Sequence, residues 1–432
     1  MKILLLLPWE KDYKAYRDKF SAMLSYAPLT LATIAALIPP ELNAEVDVCD
    51  ELMQTIDYDK HYDIVAISFV TSSSPRAYNL AKTFKEKGSY ILFGGYHTTL
   101  LPEEAAKHAD TIIVGPAEKS FPQFLTDYAK GKPEKEYKIP CVMAEDYKIP
   151  RRDLLPKKGY VKTPCITANP GCPNKCEFCA IQKMNPPNPR PISDVIDEIK
   201  LLNTKSLIFF DPNFFQNRQY ALELMSELKK LKLRWASTMT VKTAFDEELV
   251  TEAQKSGCIG CTMGIESLNH DSLLSVKKGF NDPKKYKQAI DIIKEHNMCI
   301  NGCFVLGLDS DTKESLSSLV EQADYLGITV ARFALLTPNP GSSLFEKLEN
   351  EGRILTKDWS KYNYDHVVFQ PKNMTPNELM EIYLKTWKDF YKIGRIFGRM
   401  KQAPSFSTKM IALGMNLGFK YVGSTVKRGL QC

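Results

Sequence analysis

The 432-residue chain has no acidic residue after Asp389, no apolar run of the roughly 18 residues that a membrane span needs, and no second C-x2-C pair within about 20 residues of its close group of cysteines. Each absence excludes something. Without a long apolar run, a spanning helix is not expected. The amino-terminal run Ile3–Leu7 closes at Pro8, too short for a signal peptide, so it is expected to be a first buried strand. Eleven cysteines without a leader are expected to be thiols in a reducing compartment, which points to the cytoplasm. Without acids behind Asp389, Lys392, Arg395, Arg399, Lys401, Lys409, Lys420, Lys427 and Arg428 are unopposed. Removing those eight from the formal charge of +6 leaves the preceding body at −2, so the basicity belongs to the tail.

The rest of the composition, 44% apolar and 25% charged, is that of a globular protein, and its length asks for two or three domains. Up to about residue 140, short apolar runs alternate with helix-length amphipathic stretches. Met1–Leu7, Ala44–Asp50, Ile64–Phe69, Tyr90–Phe93 and Thr111–Val114 are predicted strands, with helices over 30–38 and 75–87. That alternation predicts a parallel doubly wound sheet, whose ligands bind at the carboxyl ends of the strands. Residues 141–162 form a linker punctuated by Pro150, Arg151, Arg152 and Pro156. From 163 to 345, six further strands are predicted at 165–168, 206–210, 235–239, 260–265, 299–306 and 330–336, with helices between them. They predict an open (β/α)6 barrel with its site at the carboxyl ends. The remainder, 346–432, is expected to be a helical cap followed by the basic tail. Thr375, Pro376 and Glu378 open a helix that carries Leu379, Ile382, Tyr383 and Trp387 on one face.

The loop after the first barrel strand holds Cys172, Cys176 and Cys179 in a C-x3-C-x2-C spacing. Three close thiols suit a four-iron cluster with one iron left open for chemistry. A structural zinc site competes. It needs four closed ligands, and the nearest fourth thiol, Cys165, lies in a predicted strand. Cys258, Cys261, Cys299 and Cys303 begin two strands and are expected to be small core residues.

The cysteine spacing, with Phe178 before the last thiol, resembles that of the radical S-adenosylmethionine (SAM) enzymes. The resemblance implies a [4Fe-4S] cluster held by Cys172, Cys176 and Cys179, with SAM on the fourth iron. It places SAM contacts at Asp211 and Asn213 after the second strand, where most relatives have Gly-Gly-Glu. Further contacts fall at Gly264 and Glu266 after the fourth strand and at Gly307 after the fifth. A buried Glu266 costs several kcal/mol without a cation, so a ligand or basic neighbour is expected beside it.

In the amino-terminal sheet, Ser68 and Thr71, Gly94, Gly95 and His97, and Gly115 and Glu118 resemble strand ends of the cobalamin-binding domain that precedes many radical SAM cores. Glycines would admit the bulky ligand and hydroxyls would bond its nucleotide tail. The nearest match to the D-x-H-x-x-G motif, Asp59-Lys60-His61, lacks the glycine and precedes its strand, so no histidine ligand to cobalt is expected there.

The stretches around Trp359, His366 and Met374 resemble the extension of a branch that includes hopanoid methylases, bacteriochlorophyll side-chain methylases and tetraether-lipid ring synthases. This implies a methylcobalamin-dependent radical SAM C-methyltransferase acting on a lipid, isoprenoid or other hydrophobic small molecule, with a flavodoxin or ferredoxin as electron donor. The alternatives are a cobalamin-dependent radical cyclase or ring-forming oxidoreductase, and a non-catalytic cobalamin sensor. The tail, with Met410, Leu413, Leu417 and Phe419 among its basic residues, suits peripheral contact with an anionic membrane or an ordinary packed helix. No nucleic-acid partner is expected, because no binding module accompanies the charge.

Overall fold

The computed structural model describes residues 1–9, 25–140, 142–184, 188–403 and 405–429. The side chains of Lys427 and Arg428 lie outside the description.

Six amino-terminal strands form the first sheet: β1 (Lys2–Leu7), β2 (Glu45–Asp50), β3 (Ile64–Ser68), β4 (Tyr90–Gly94), β5 (Thr111–Ile113) and β6 (Glu136–Tyr137). All neighbours pair in parallel in the order β2-β1-β3-β4-β5-β6. Helices cover both faces, so the strands are continuously apolar. Ile3, Leu4, Leu5 and Leu6 are all buried, although a one-faced sheet would bury only alternate residues. The order reverses at β1/β3, and next to that switch point the carboxyl ends of β3, β4 and β5 line a crevice. His61 stands exposed ahead of β3, away from that crevice.

The second sheet contains β7 (Cys165–Ile166), β8 (Ser206–Phe209), β9 (Arg234–Met239), β10 (Cys258–Glu266), β11 (Cys299–Leu306) and β12 (Val330–Leu335). It is parallel and sequential from β7 to β12, and its two end strands do not pair, so the barrel is open. Several predicted strand bounds move by one residue, and two move by two. Strand β7 ends at Ile166, because Ala168 and Asn169 turn their amides to Asp211. Strand β10 begins at Cys258, which therefore lies within the strand. Cys258, Cys261 and Cys299 are buried, and burial lifts each thiol pKa, as expected of core residues.

Three helices, Pro376–Phe390, Ile393–Gln402 and Phe406–Gly429, close the chain. The first has the predicted capping box: Glu378 N–H donates to Thr375 Oγ1 at 3.3 Å and Thr375 N–H to Glu378 Oε2 at 2.8 Å. Its apolar face, with Leu379 and Tyr383 fully buried, packs on the barrel. The tail is a packed helix on one side. Arg399 bonds Asp324, the Phe390 carbonyl and Asn416, while Arg395 pairs with Asp324 and Glu321. Phe406, Met410 and Leu417 remain exposed on the other side. No helix among the described residues is long and apolar enough to cross a membrane.

Candidate functional site

The cysteine loop is pinned at both ends. At its start, Asp211 Oδ1 accepts from the Ala168 and Asn169 amides at 2.8 and 3.0 Å. At its end, the Cys179 amide turns back to the Cys176 carbonyl at 3.1 Å, and Glu177 N–H reaches the Val276 carbonyl at 3.1 Å. Cys172, Cys176 and Cys179 are half-buried, and Phe178 packs against the barrel core. Burial pushes the Cys176 thiol up to about 11 and raises that of Cys179; neighbouring thiol charge adds to both, and Lys278 opposes it. Three neighbouring thiolates therefore need positive charge to be stable together, as an iron–sulfur centre supplies. They are not preset as ligands: no three His, Cys, Asp or Glu side chains among the described residues form a metal-ligating group. Cys165 offers zinc no fourth ligand. It is buried in β7, with burial pushing its thiol up to about 12, and its carbonyl accepts from Arg152 at 2.7 Å. Arg152 also pairs with buried Glu198, so this linker arginine is structural.

Beside the loop, the ends of β7 and β8 gather polar atoms that have no partner among the described residues. They are both amide atoms of Asn169, both of Gln216, Asn213 Oδ1 and Asp211 Oδ2. Burial pushes Asp211 up to about 7, against the pull of its two amide donors. Unsatisfied buried groups of this kind are costly unless a ligand or water meets them, and a zwitterionic amino-acid group fits them.

At the end of β10, Glu266 has a left-handed backbone (φ 64°), and its carboxylate meets Lys278 Nζ at 2.5 Å. Burial alone would lower the Lys278 pKa, but Glu266 outweighs it and holds the value above normal. This is the cation that a buried Glu266 requires, and no motif announced it. Gly264 leaves room for the pair: a Cβ there would stand 2.6 Å from Glu266 Oε1 and 2.8 Å from Lys278 Nζ. Gly307 is occupied differently. Its would-be Cβ meets Leu379 at 2.7 Å, and its amide donates to Asp311 at 2.9 Å, so this glycine admits the carboxyl-terminal helix onto the end of β11.

At the crevice of the first sheet, a slot of about 380 Å³, counted to its open mouth, is lined by Ile34, Ser68, Gly94, Gly95, Gly115 and Phe121. Gly95 has φ +90°, and a Cβ there would lie 2.8 Å from Ser68 Oγ and 2.9 Å from the Phe69 backbone, so only glycine lets the chain pass. Gly115 opens on empty space. A narrow slot with glycine walls fits the slim nucleotide tail of a cobalamin. Thr71 is buried in the turn after β3, and Glu118 sits in the first turn of helix Ala117–Ala129 with its carboxyl pKa raised by burial. His97 is fully buried under Tyr78, whose hydroxyl lies 2.8 Å from its Nε2, and the same Tyr78 reaches Glu104. Burial lowers the imidazole pKa, with Glu104 opposing. Trp359 of the cap donates to Glu104 at 3.0 Å, so His97 belongs to a polar chain that joins the first domain to the cap.

The first sheet meets the barrel near the cysteine loop. Tyr96, next to Gly94-Gly95, lies within electrostatic reach of Cys179 and of Tyr364 from the cap, and burial pushes its hydroxyl up to about 12. Helix Tyr96–Leu100 packs on helix Ile181–Met184, directly behind the cysteine loop. Tyr26 stands edge-on to Phe210 at the end of β8, with ring centroids 5.3 Å apart. Sequence reasoning missed Asn169, Gln216, Lys278, Tyr96 and Tyr364. Only Tyr96, adjoining Gly94-Gly95, had a motif beside it.

A doubly wound sheet with a glycine-walled slot, set against an open barrel whose first loop carries three cysteines, defines the cobalamin-binding radical SAM enzymes, and this chain belongs to that family. The Radical SAM superfamily matches residues 166–323, the B12 binding domain residues 28–125, and a domain of unknown function (DUF4070) residues 342–410. The bacteriochlorophyllide d C-12(1)-methyltransferase of Chlorobaculum tepidum is 30% identical over 393 residues, 87% of this chain and 85% of the relative. The bacteriochlorophyllide d C-8(2)-methyltransferase of the same organism is 27% identical over 413 residues, 91% of each. Among solved structures, the cobalamin-dependent SAM radical enzyme OxsB with aqua-cobalamin and SAM bound superposes with a TM-score of 0.68 at 11% identity, covering 100% of this chain and 80% of that one. The cofactors are a [4Fe-4S] cluster, SAM and cobalamin.

Proposed function

We propose that the chain is a cobalamin-dependent radical SAM C-methyltransferase acting on an unactivated carbon of a hydrophobic small molecule. The observation that carries this reading is the packing of helix Tyr96–Leu100, which follows Gly94-Gly95, on helix Ile181–Met184, which follows the cysteine loop. When bound, the cofactors supply a SAM-derived 5′-deoxyadenosyl radical from the barrel side and a methyl group from the cobalamin side.

The chain's residues hold, orient and enclose. Cys172, Cys176 and Cys179 would each hold one iron. Asn169, Asp211, Asn213 and Gln216 would meet the amino-acid end of SAM, and Gly264, Glu266 and Lys278 would fix its flank. Ser68, Gly94, Gly95 and Gly115 would line the cobalamin slot, Thr71 and Glu118 would stand on the neighbouring turn and helix, and His97 would brace it from beneath. Gly307 acts through the helix it admits. Tyr96 and Tyr364 wall the space between the two sides and keep water from it, which protects a radical. Residues 1–140, 141–162, 163–345 and 346–432 would serve as cobalamin domain, linker, radical core and cap. An electron donor such as flavodoxin or ferredoxin would reduce the cluster, and the exposed face of the tail would touch an anionic membrane.

Reconstituted enzyme incubated with methyl-labelled SAM and a cell extract tests the reading. Label is expected in one product. Turnover to 5′-deoxyadenosine with an unlabelled product would assign cyclisation or another radical outcome instead. For the tail, loss of co-sedimentation with anionic vesicles is expected after deletion of residues 391–432.

A further inference from the structure

The inner face of the barrel carries two cations with different surroundings. Lys278 is neutralised by Glu266. Arg332, on β12, forms no hydrogen bond or ion pair with any described residue. Its orientation follows from its neighbour. Phe333 packs outward against Trp387 and Phe390, with ring centroids 5.6 and 5.4 Å away, so Arg332 and Ala334 point to the opposite, inner face. Register confirms the placement: Arg332 pairs with Cys303, and Cys303 pairs with Gly264, so the arginine shares a barrel layer with the Gly264 step. Arg332 also lies within electrostatic reach of Tyr364, which the cap places there with a left-handed backbone (φ 67°). On the same face of β11, two residues before Cys303, Asn301 Oδ1 is buried without a donor among the described residues. Its Nδ2 donates to Thr262 at 3.3 Å. The inner face beside the Gly264 step thus holds a guanidinium and an acceptor that no described residue meets.

We infer that Arg332 anchors an anionic group, a carboxylate or a phosphate, on the substrate, whose apolar body lies toward Tyr364 and Tyr96. A guanidinium suits either anion through paired N–H donors. The inference rests on the proposed reading that a hydrophobic substrate fills the space between the cysteine loop and the cobalamin slot.

Phenylglyoxal labelling of Arg332 in the full-length reconstituted enzyme, followed by peptide mass spectrometry, tests the anchor without turnover. Palmitate or hexadecyl phosphate is expected to slow labelling at least fivefold while hexadecanol does not, and the more protective anion distinguishes carboxylate from phosphate. Equal protection by hexadecanol, or protection by neither anion, overturns the anchor. With methyl-labelled SAM and extract, label is expected in an acidic product. Arg332→Gln should raise KM for that substrate at least tenfold, by more than it lowers kcat, and Arg332→Lys should restore part of the loss. Label in a neutral product, made equally well by Arg332→Gln, overturns the anchor and leaves methyl transfer standing. 5′-Deoxyadenosine without a labelled product removes methyl transfer and leaves the anchor to be decided by the labelling result.

Discussion

Around the cobalamin slot the backbone is already tied off within the protein, whereas the strand ends of the barrel leave side chains waiting. In the first domain, Thr98 and Thr99 donate to the Gly94 and Gly95 carbonyls at 3.1 and 2.9 Å, and Gly115 N–H returns to Thr99 at 2.9 Å. What that end offers a ligand is space beside backbone. At the barrel end, Asn169, Asp211, Asn213 and Gln216 keep buried polar atoms unpaired among the described residues. What that end offers is unmet hydrogen bonding beside half-buried thiols. A large, mostly neutral cofactor is recognised by shape, and a small zwitterion by polar atoms. The two ends should therefore fail in different ways when altered.

The largest expected effect separates them cleanly. Cys176→Ala should abolish SAM cleavage and the iron-dependent absorbance while cobalamin retention stays unchanged; joint loss of both cofactors would mean that the ends are not independent. Next, Asp211 should make the cofactor-free chain pH-sensitive. Its pKa is raised in the folded state to about 7, so the fold favours its protonated form, and stability is lost as pH rises from about 4 to 7. The loss is on the order of 4 kcal/mol. Denaturant titrations across that range should show the decline, and Asp211→Asn should flatten it while keeping an acceptor for the two amides. Gly95→Ala should cost about 1–3 kcal/mol through its positive φ and its clash with Phe69, and it should weaken cobalamin binding at least tenfold without changing iron content. The smallest effect is that of Thr375→Ala, which removes a cap worth about 1 kcal/mol from the helix that supports Gly307 and touches neither ligand end directly. An equal loss of SAM binding would show that the cap reaches the site through Leu379.

Patterns confined to one element were legible in the sequence. The apolar runs of β1, β3 and β4, the cysteine loop and the Thr375–Glu378 box depend on neighbours a few residues away, and strand, turn and helix chemistry reads those directly. Interactions made by folding were not legible. Lys278 reaches Glu266 across the short helix His270–Ser275, a register shift between Gly264 and Glu266 redirects the end of β10, and Leu379 takes the space beside Gly307 from a distant helix. Arg395 and Arg399 read as free tail charge, yet Asp324 claims both. Nothing in the sequence marks Arg332; the outward packing of Phe333 fixes which way it faces.

The central claim is that the cobalamin end and the cysteine loop open on one shared space, and magnetic coupling in the holoenzyme tests it most directly. With cobalt as cob(II)alamin and the cluster reduced, the account predicts electron paramagnetic resonance signals split or broadened by mutual dipolar coupling, each simplifying when the other centre is made diamagnetic. Two unperturbed signals that merely add would contradict it.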